Sequence, residues 1–306
     1  MMCPESQLAQ REKRWVALTS LWAAVGLTSF KVIVGTATGS LGILAEAAHS
    51  GLDLIAALVT FLAIRAASKP ADREHLYGHG KIENLSALFE TLLLLITCVW
   101  IFYEAGHRLT SGQDKVEVNV WAFVVMFTSI AIDYSRSHAL GRAAKKHKSQ
   151  ALEADALHFQ TDIWSSAAVI GGLFCVKLSQ WVPSLRFLRF ADAAAAIIVA
   201  LIVVWVSIEL GMRTIHGLLD TAPSGMEKKI ITAAEAVSGV CDCHHVRVRS
   251  SGPQLFVDVH VLVDGQMTLA RAHELTEEVE KAIQQVAPDA DVTVHPEPLI
   301  ERVESR

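Results

Sequence analysis

Six stretches of about twenty or more residues, nearly free of charge, follow one another through the first two-thirds of the sequence. They lie near 15–37, 41–65, 85–106, 118–137, 155–181 and 190–213. A helix rises 1.5 Å per residue, so each is long enough to cross the hydrocarbon core of a bilayer. The first is too long for a secretory h-region and carries no cleavage signature, so it reads as a span. Composition agrees: 52% of the 306 residues are hydrophobic and the mean hydropathy of +0.36 is too high for an ordinary soluble protein. The expected architecture is an α-helical membrane protein with six transmembrane helices followed by a soluble tail.

Charge orients it. Arg11, Lys13, Arg14, Arg65, Lys69, Arg73, Lys81, Arg136, Arg142, Lys145, Lys146 and Lys148 fall on one side, against Arg108, Lys115, Lys177, Arg186 and Arg189 on the other. Cytoplasmic loops carry the Lys/Arg excess, so both termini are expected in the cytoplasm. A net charge of −5 gives no reason to expect nucleic acid as a partner. Five cysteines do not make a disulfide framework: Cys98 and Cys175 fall in apolar spans, and Cys241 and Cys243 in the tail, where thiols stay reduced.

The second stretch, Leu41 to Ile64, contains a polar pair, His49 and Asp53. Residues four apart lie on one side of a helix, and such groups at membrane depth are costly unless they face a partner or a cavity. A second copy, His158 and Asp162, opens the fifth stretch. One copy alone fits a hydrogen bond tying two helices equally well. Two copies at identical spacing in separate spans favour a shared site of two nitrogens and two carboxylates, a tetrahedral set for a divalent metal. The carboxylates neutralise a dication, whereas a monovalent ion would leave net negative charge in low dielectric. Two imidazoles argue against calcium and magnesium. Zinc fits best, with iron(II), manganese, cobalt and cadmium also compatible. Imidazole binds metal only when neutral, and its free pKa of ~6.5 makes protons effective competitors.

The other polar residues are less specific. Lys31 sits close enough to a span end to snorkel, and Arg136 to Lys148 reads as a basic, solvated extension of the fourth helix. Glu90 and Asp133 suit a helix-helix contact or a place near a headgroup before proton relay. After Pro70, Asp72, His75 and His79 either converge on a metal or are solvated loop polars, and spacing alone favours the second. The same loop does not satisfy a phosphate-binding pattern.

After Met212 the composition changes, and Gly217, Pro223 and Gly225 mark a linker. The expected division is 1–14 as a cytoplasmic N-terminal segment, 15–216 as the membrane domain, 217–225 as a linker and 226–306 as a soluble domain. Helices at 226–237 and 269–286 and strands at 245–250, 255–263 and 291–295 give the order αββαβ, a small α+β layer of ferredoxin or metallochaperone type. So short a domain is a natural candidate for dimerisation. It is rich in potential ligands, among them Cys241, Asp242, Cys243, His244, His245, Asp258, His260, His273, His295 and Glu297. Sequence alone leaves metal binding there and simple surface histidines evenly matched.

Several motifs, in order, resemble the cation diffusion facilitator family of divalent-metal/proton antiporters. They are HSGLD at 49–53, PADREHLYGHGKIE at 70–83, ALHFQTDIWSS at 156–166, GLLDTAP at 217–223, RVRSSGPQLFVDVHVLV at 247–263 and DVTVHPEP at 291–298. The resemblance spans roughly Trp15 to Pro298. It implies a transport site at His49, Asp53, His158 and Asp162, and a loop site at Asp72, His75 and His79. It also implies a cytoplasmic site at His244, His260, His295 and Glu297 with His273 nearby, and a homodimer. Asp in place of His49 occurs in relatives that accept a broader range of metals, so the His form resembles the zinc-preferring branch. Glu297 stands where a shorter Asp is common.

The expected function is therefore export of divalent metal, zinc first, from the cytoplasm in exchange for protons by alternating access. The chain is expected in the bilayer of a bacterial inner (plasma) membrane, with metal ions, protons and a second copy as partners and no enzymatic activity. Lys81 and Asp220, opposite charges flanking the membrane exit at matching family positions, are expected to pair. The rivals are transport of another metal by the same fold, a membrane metal sensor that does not transport, and a membrane hydrolase. A hydrolase would want an open metal position, whereas four ligands already close this one.

Overall fold

The computed structural model describes residues 4–111, 120–181, 191–288 and 290–299. Lys115, Arg186 and Arg189, three of the cations used for orientation, lie outside these, as do the side chains of Arg108, Cys175 and Lys177. The chain divides into two compact units, Met1–Pro70 with Ile82–Ile215, and Ala71–Lys81 with His216–Arg306.

The helices of the first unit are α1 (Pro4–Thr38), α2 (Leu41–Ala67), α3 (Lys81–Ser111), α4 (Val120–His147), α5 (Gln150–Trp181) and α6 (Ala191–Leu218). Gly39, at φ +65°, turns the chain between α1 and α2, and the Ser40 side chain caps α2 by accepting from the Ile43 N–H. So short a turn makes α1 and α2 packed neighbours. α4 packs on α5, α1 on α4, and α2 on α5, while α3 and α6 meet through Leu94, Cys98 and Val203.

Four helical stretches are by themselves long and apolar enough to cross a membrane: Leu8–Thr38, Glu46–Ala67, Lys81–Tyr103 and Ile197–Leu218. Among the described residues α4 and α5 do not reach that level. Asp133 and Arg136 interrupt the apolar run of α4, and α5 opens with Glu153, Asp155, His158 and Asp162.

Two expectations about charge are corrected. Lys31 does not snorkel: it is 3% exposed and its Nζ donates to Glu46 (3.2 Å) and Ser50 (2.7 Å). Arg136 is not part of the solvated face. Its Nε donates to Ser20 and its Nη1 to Asp133, and its guanidinium lies 3.5 Å from the centre of the Phe159 ring. Lys13 is equally buried against Glu83, which also accepts from Ser149. A charge removed from water must find partners of this kind. Arg142, Lys145, Lys146 and Lys148 do remain exposed.

The second unit contains α7 (Met226–Glu235), β1 (Val240–Ser251), β2 (Gln254–Asp264), α8 (Leu269–Val286) and β3 (Asp291–Leu299), in the expected αββαβ order. The strands run β1-β2-β3 across the sheet. β1 and β2 are antiparallel around Gly252-Pro253, and β3 is parallel to β2, a connection that needs the α8 crossover. β3 continues beyond the expected 291–295 through Pro296 and Pro298, which an edge strand tolerates. α6 likewise runs to Leu218, two residues into the expected linker.

One face of the sheet is the core: Val257, Val259, Val261 and Val263 of β2 pack with Ile230 of α7 and Leu275, Val279 and Ile283 of α8. Side chains alternate along a strand, so Asp258, His260 and Leu262 point to the other face. Part of that face is occupied by the loop at 71–81. The Tyr77 ring packs edge-on against Phe256 at 5.2 Å, and the Arg249 guanidinium lies 3.7 Å above Tyr77. Gly80 is required where it is, because a Cβ there would collide with the Ser251 carbonyl.

Candidate metal centre

Four polar side chains of α2 and α5 come together in pairs that cross between the helices. His158 Nε2 lies 3.1 Å from Asp53 Oδ1 and 3.7 Å from Asp162 Oδ2. His49 Nε2 lies 3.8 Å from Asp162 Oδ1 and 4.0 Å from Asp53 Oδ1. Each imidazole thus stands between both carboxylates. With bonds of about 2.0–2.1 Å, a tetrahedral zinc ion sets its donors about 3.3 Å apart, so a small contraction on the His49 side fits one ion. Asp53 and His158 are 8% and 5% exposed, whereas the His49 side chain is 41% exposed. One edge of the cluster is therefore accessible and the other is dry.

Glu90 and Asp155, further buried carboxylates, lie in the same unit. Glu90, fully buried, accepts from the Thr60 hydroxyl through Oε1, and Asp155 sits one helical turn before His158. Oε2 of Glu90 and Oδ1 of Asp155 have no hydrogen-bond partner among the described residues. Of the structural roles expected for Glu90, the helix contact is the one seen, from α3 to α2.

In the second unit the three loop residues lie close together, with Asp72 and His75 still exposed to solvent. Asp72 Oδ1 accepts the backbone N–H groups of Glu74 (3.0 Å) and His75 (2.7 Å), so its carboxylate organises the turn. The same carboxylate lies 3.3 Å from His75 Nδ1 and 3.4 Å from His79 Nε2. Hydrogen bonding, chiefly from the His75 N–H, holds the Asp72 carboxyl below its usual pKa. These three offer ligand atoms within 4.8 Å of one another.

The tail site follows from register. His244 pairs with His260 across β1 and β2, and His260 with His295 across β2 and β3. One row of three histidines therefore crosses the sheet on the face away from α7 and α8. Glu297, two residues on from His295, accepts from His260 Nδ1 at 2.7 Å and lies 3.3 Å from His244 Nε2. The His260 hydrogen bond, first among several causes, keeps its carboxyl below the ordinary range. His260, His295 and Glu297 form one potential ligand triad, and His244, His245 and His260 another.

His273, expected near this set, does not join it. It lies exposed on α8, on the opposite side of the sheet, with Nε2 3.6 Å from Glu277. Cys243 is buried in the core on the face turned away from the histidine row, and burial pushes its thiol up to about 11. Lys81 and Asp220 do pair, at 2.9 Å, and Lys81 also donates to the Leu218 carbonyl at 3.2 Å.

Comparison with known proteins adds a lineage. Residues 17–219 match the family model described as the cation efflux transmembrane domain, and residues 222–299 match the cytoplasmic domain of cation efflux proteins. The cation-efflux pump FieF of Serratia proteamaculans is 31% identical over 299 residues, covering 96% of this chain and 95% of its own. An uncharacterized transporter of Synechocystis is 32% identical over 295 residues, covering 95% and 92%. Among solved structures, MamM-CTD is 31% identical over 24% of this chain and 94% of its own, with a TM-score of 0.23.

Proposed function

This chain belongs to the cation efflux family of integral membrane transporters, and on that premise we propose that it exports Zn2+ from the cytoplasm in exchange for protons. It is a transporter of metal cations rather than an enzyme. The observation that carries the zinc reading is the donor set itself: two imidazoles and two carboxylates, interleaved between α2 and α5 with separations of 3.1–4.0 Å. That set balances a dication, suits a borderline metal and is too nitrogen-rich for calcium or magnesium.

Protons supply the release step. A proton on His49 or His158 removes the lone pair that would bind metal, and adds positive charge beside the ion. In this reading all six helices cross the membrane, with both termini in the cytoplasm of a bacterium. Membrane-depth charge on α4 and α5 is tolerated because it faces partners in the bundle. Alternating access exposes His49 and Asp53 to one side and then the other. The loop triad and the tail row bind cytoplasmic metal and regulate, and the tail dimerises the protein.

The test is metal uptake into reconstituted vesicles carrying a pH-sensitive dye, run over Zn2+, Fe2+, Mn2+, Co2+ and Cd2+ with Asp53→Ala as control. The expected result is zinc uptake that depends on a pH gradient, alkalinises the side that yields protons and vanishes in the control. Uptake that moves no protons would remove the antiport half of the proposal. A different preferred ion would replace zinc while leaving export intact.

A further inference from the structure

His245 is not among the tail ligands that the family resemblance implies, and its backbone is unusual. It is one of three described non-glycine residues with positive φ, at +49°, a conformation that L residues adopt only at a cost. It also lies where the ladder changes register: His244 pairs with His260, but Arg247 pairs with Asp258. Three steps along β1 are matched by two along β2, so His245 and Val246 together oppose Val259. This is a β-bulge.

The bulge changes which residue faces the core. Strict alternation after His244 would turn His245 inward. Instead Val246 packs against the valine core, and His245, the extra residue, remains exposed beside the histidine row. Its ring centre lies 5.0 Å from that of His244 and 5.2 Å from that of His260, both edge-on, with His244 and His260 5.8 Å apart. One nitrogen from each of the three lies within 4.8 Å of the others.

We infer that His245 is a metal ligand, re-aimed by the bulge to complete a three-imidazole site with His244 and His260 beside the His260–His295–Glu297 triad. The inference rests on reading the tail as metal-binding and adds a ligand and a metal class to it. Asp242 supports it from behind: Oδ2 lies 2.9 Å from His244 Nδ1. A carboxylate in that position fixes the tautomer and leaves Nε2 for the metal. Three nitrogens without an oxygen select zinc, cobalt, nickel or copper over manganese, magnesium or calcium. A neutral imidazole has one lone pair, so the two triads compete for His260, and an ion seated on the nitrogen face draws it from Glu297.

The experiment uses the full chain in lipid nanodiscs, in a background lacking Asp53 and Asp72 so that the tail dominates binding. Zn2+ and Co2+ affinities are measured by competition with a chelator, and nitrogen neighbours are counted by X-ray absorption. His245→Asn is the principal variant, because Asn tolerates the left-handed backbone and keeps the bulge; His245→Gly is the second. Both should weaken binding by roughly tenfold or more and lose one imidazole from the count, with unchanged thermal unfolding. Parent-like affinity and imidazole count in both, while His260→Ala lowers both quantities, would overturn the role of His245. If His260→Ala also binds as the parent does, the tail is no metal site and the inference falls with it.

Discussion

The Nε2 atom of His158 on α5 lies 3.1 Å from Oδ1 of Asp53 on α2, a contact between residues 105 positions apart in sequence. Both are buried, so the pair is either a tie between two helices or half of an ion site. Asp53→Asn separates these roles. The amide has the same shape and its oxygen still accepts from the imidazole, which preserves a tie. It removes one negative charge, however, and leaves a bound dication uncompensated in low dielectric. Zinc uptake by reconstituted vesicles should fall by roughly a hundredfold or more, with thermal unfolding little changed. Retained uptake would assign the pair to structure alone.

Asp72 predicts how the loop responds to pH. Its native pKa is depressed, principally by the His75 N–H. The stability it contributes is therefore present above the unfolded-state value of ~3.9 and is lost only as pH falls through the lower native one. The turn should stay closed at pH 5. Asp72→Asn, which can still accept both N–H groups, should keep slow amide exchange at Glu74 and His75 but bind metal weakly at the loop. Asp72→Ala should lose both properties, and exchange measured by mass spectrometry distinguishes the two variants.

What could be read from sequence was local. His49 with Asp53, and His158 with Asp162, were legible because a spacing of four inside an apolar run fixes a helix face without reference to the rest of the chain. The αββαβ order was legible for the same reason, from period-two and period-3.6 patterns. Lys31 and Arg136 were misread because burial depends on partners that sequence does not align: Ser20, which receives Arg136, is 116 residues away. His245 stood among the potential ligands of the tail, but its place on the sheet was misassigned for a different reason. Alternation assigns it to the core face, and only the register shift, invisible in the pattern, returns it to the histidine row. His273 came from resemblance rather than from register, and within this chain it lies on α8, across the sheet from the histidine row.

Lys81 and Asp220 make an ion pair at 2.9 Å with side chains 39% and 41% exposed. An exposed pair contributes about 0–1 kcal/mol, so Lys81→Ala or Asp220→Ala should reduce transport only mildly. Reversal is different, since Lys81→Asp places like charges within contact. Transport should drop clearly in Lys81→Asp and in Asp220→Lys, and recover in the double reversal. The measurement is initial uptake rate at saturating zinc, and absence of recovery would mean that the two charges act independently.

The paired tail cysteines should differ in reactivity. Cys243 is 5% exposed, and burial, reinforced by Glu235 and Asp242, raises its thiol to about 11. At pH 8 it is therefore almost entirely protonated, and the thiol form is a poor nucleophile. Cys241 is exposed. In a chain whose other cysteines are serine, iodoacetamide at pH 8 should modify Cys241 readily and Cys243 at least about tenfold more slowly. Unfolding in guanidinium should equalise them. Equal native rates would place Cys243 in a more open environment than its packing against the core allows.

The loop bearing Asp72, His75 and His79 is fastened to the sheet by a stack of three side chains, with Arg249 over Tyr77 at 3.7 Å and Tyr77 edge-on to Phe256. A cation over an aromatic ring contributes about 0.5–2 kcal/mol. Arg249→Ala should therefore speed amide exchange in residues 72–81 by about 2- to 30-fold while leaving β2 unchanged. Arg249→Lys keeps the charge but loses the flat face that stacks, so an intermediate rate identifies how much of the fastening is planar contact. Tyr77→Phe retains the ring and should exchange like the parent, whereas Tyr77→Leu should match Arg249→Ala. If Arg249→Ala leaves loop exchange unaltered, the closeness of Gly80 to the Ser251 backbone holds the loop alone, and the stack is a consequence of docking rather than its cause.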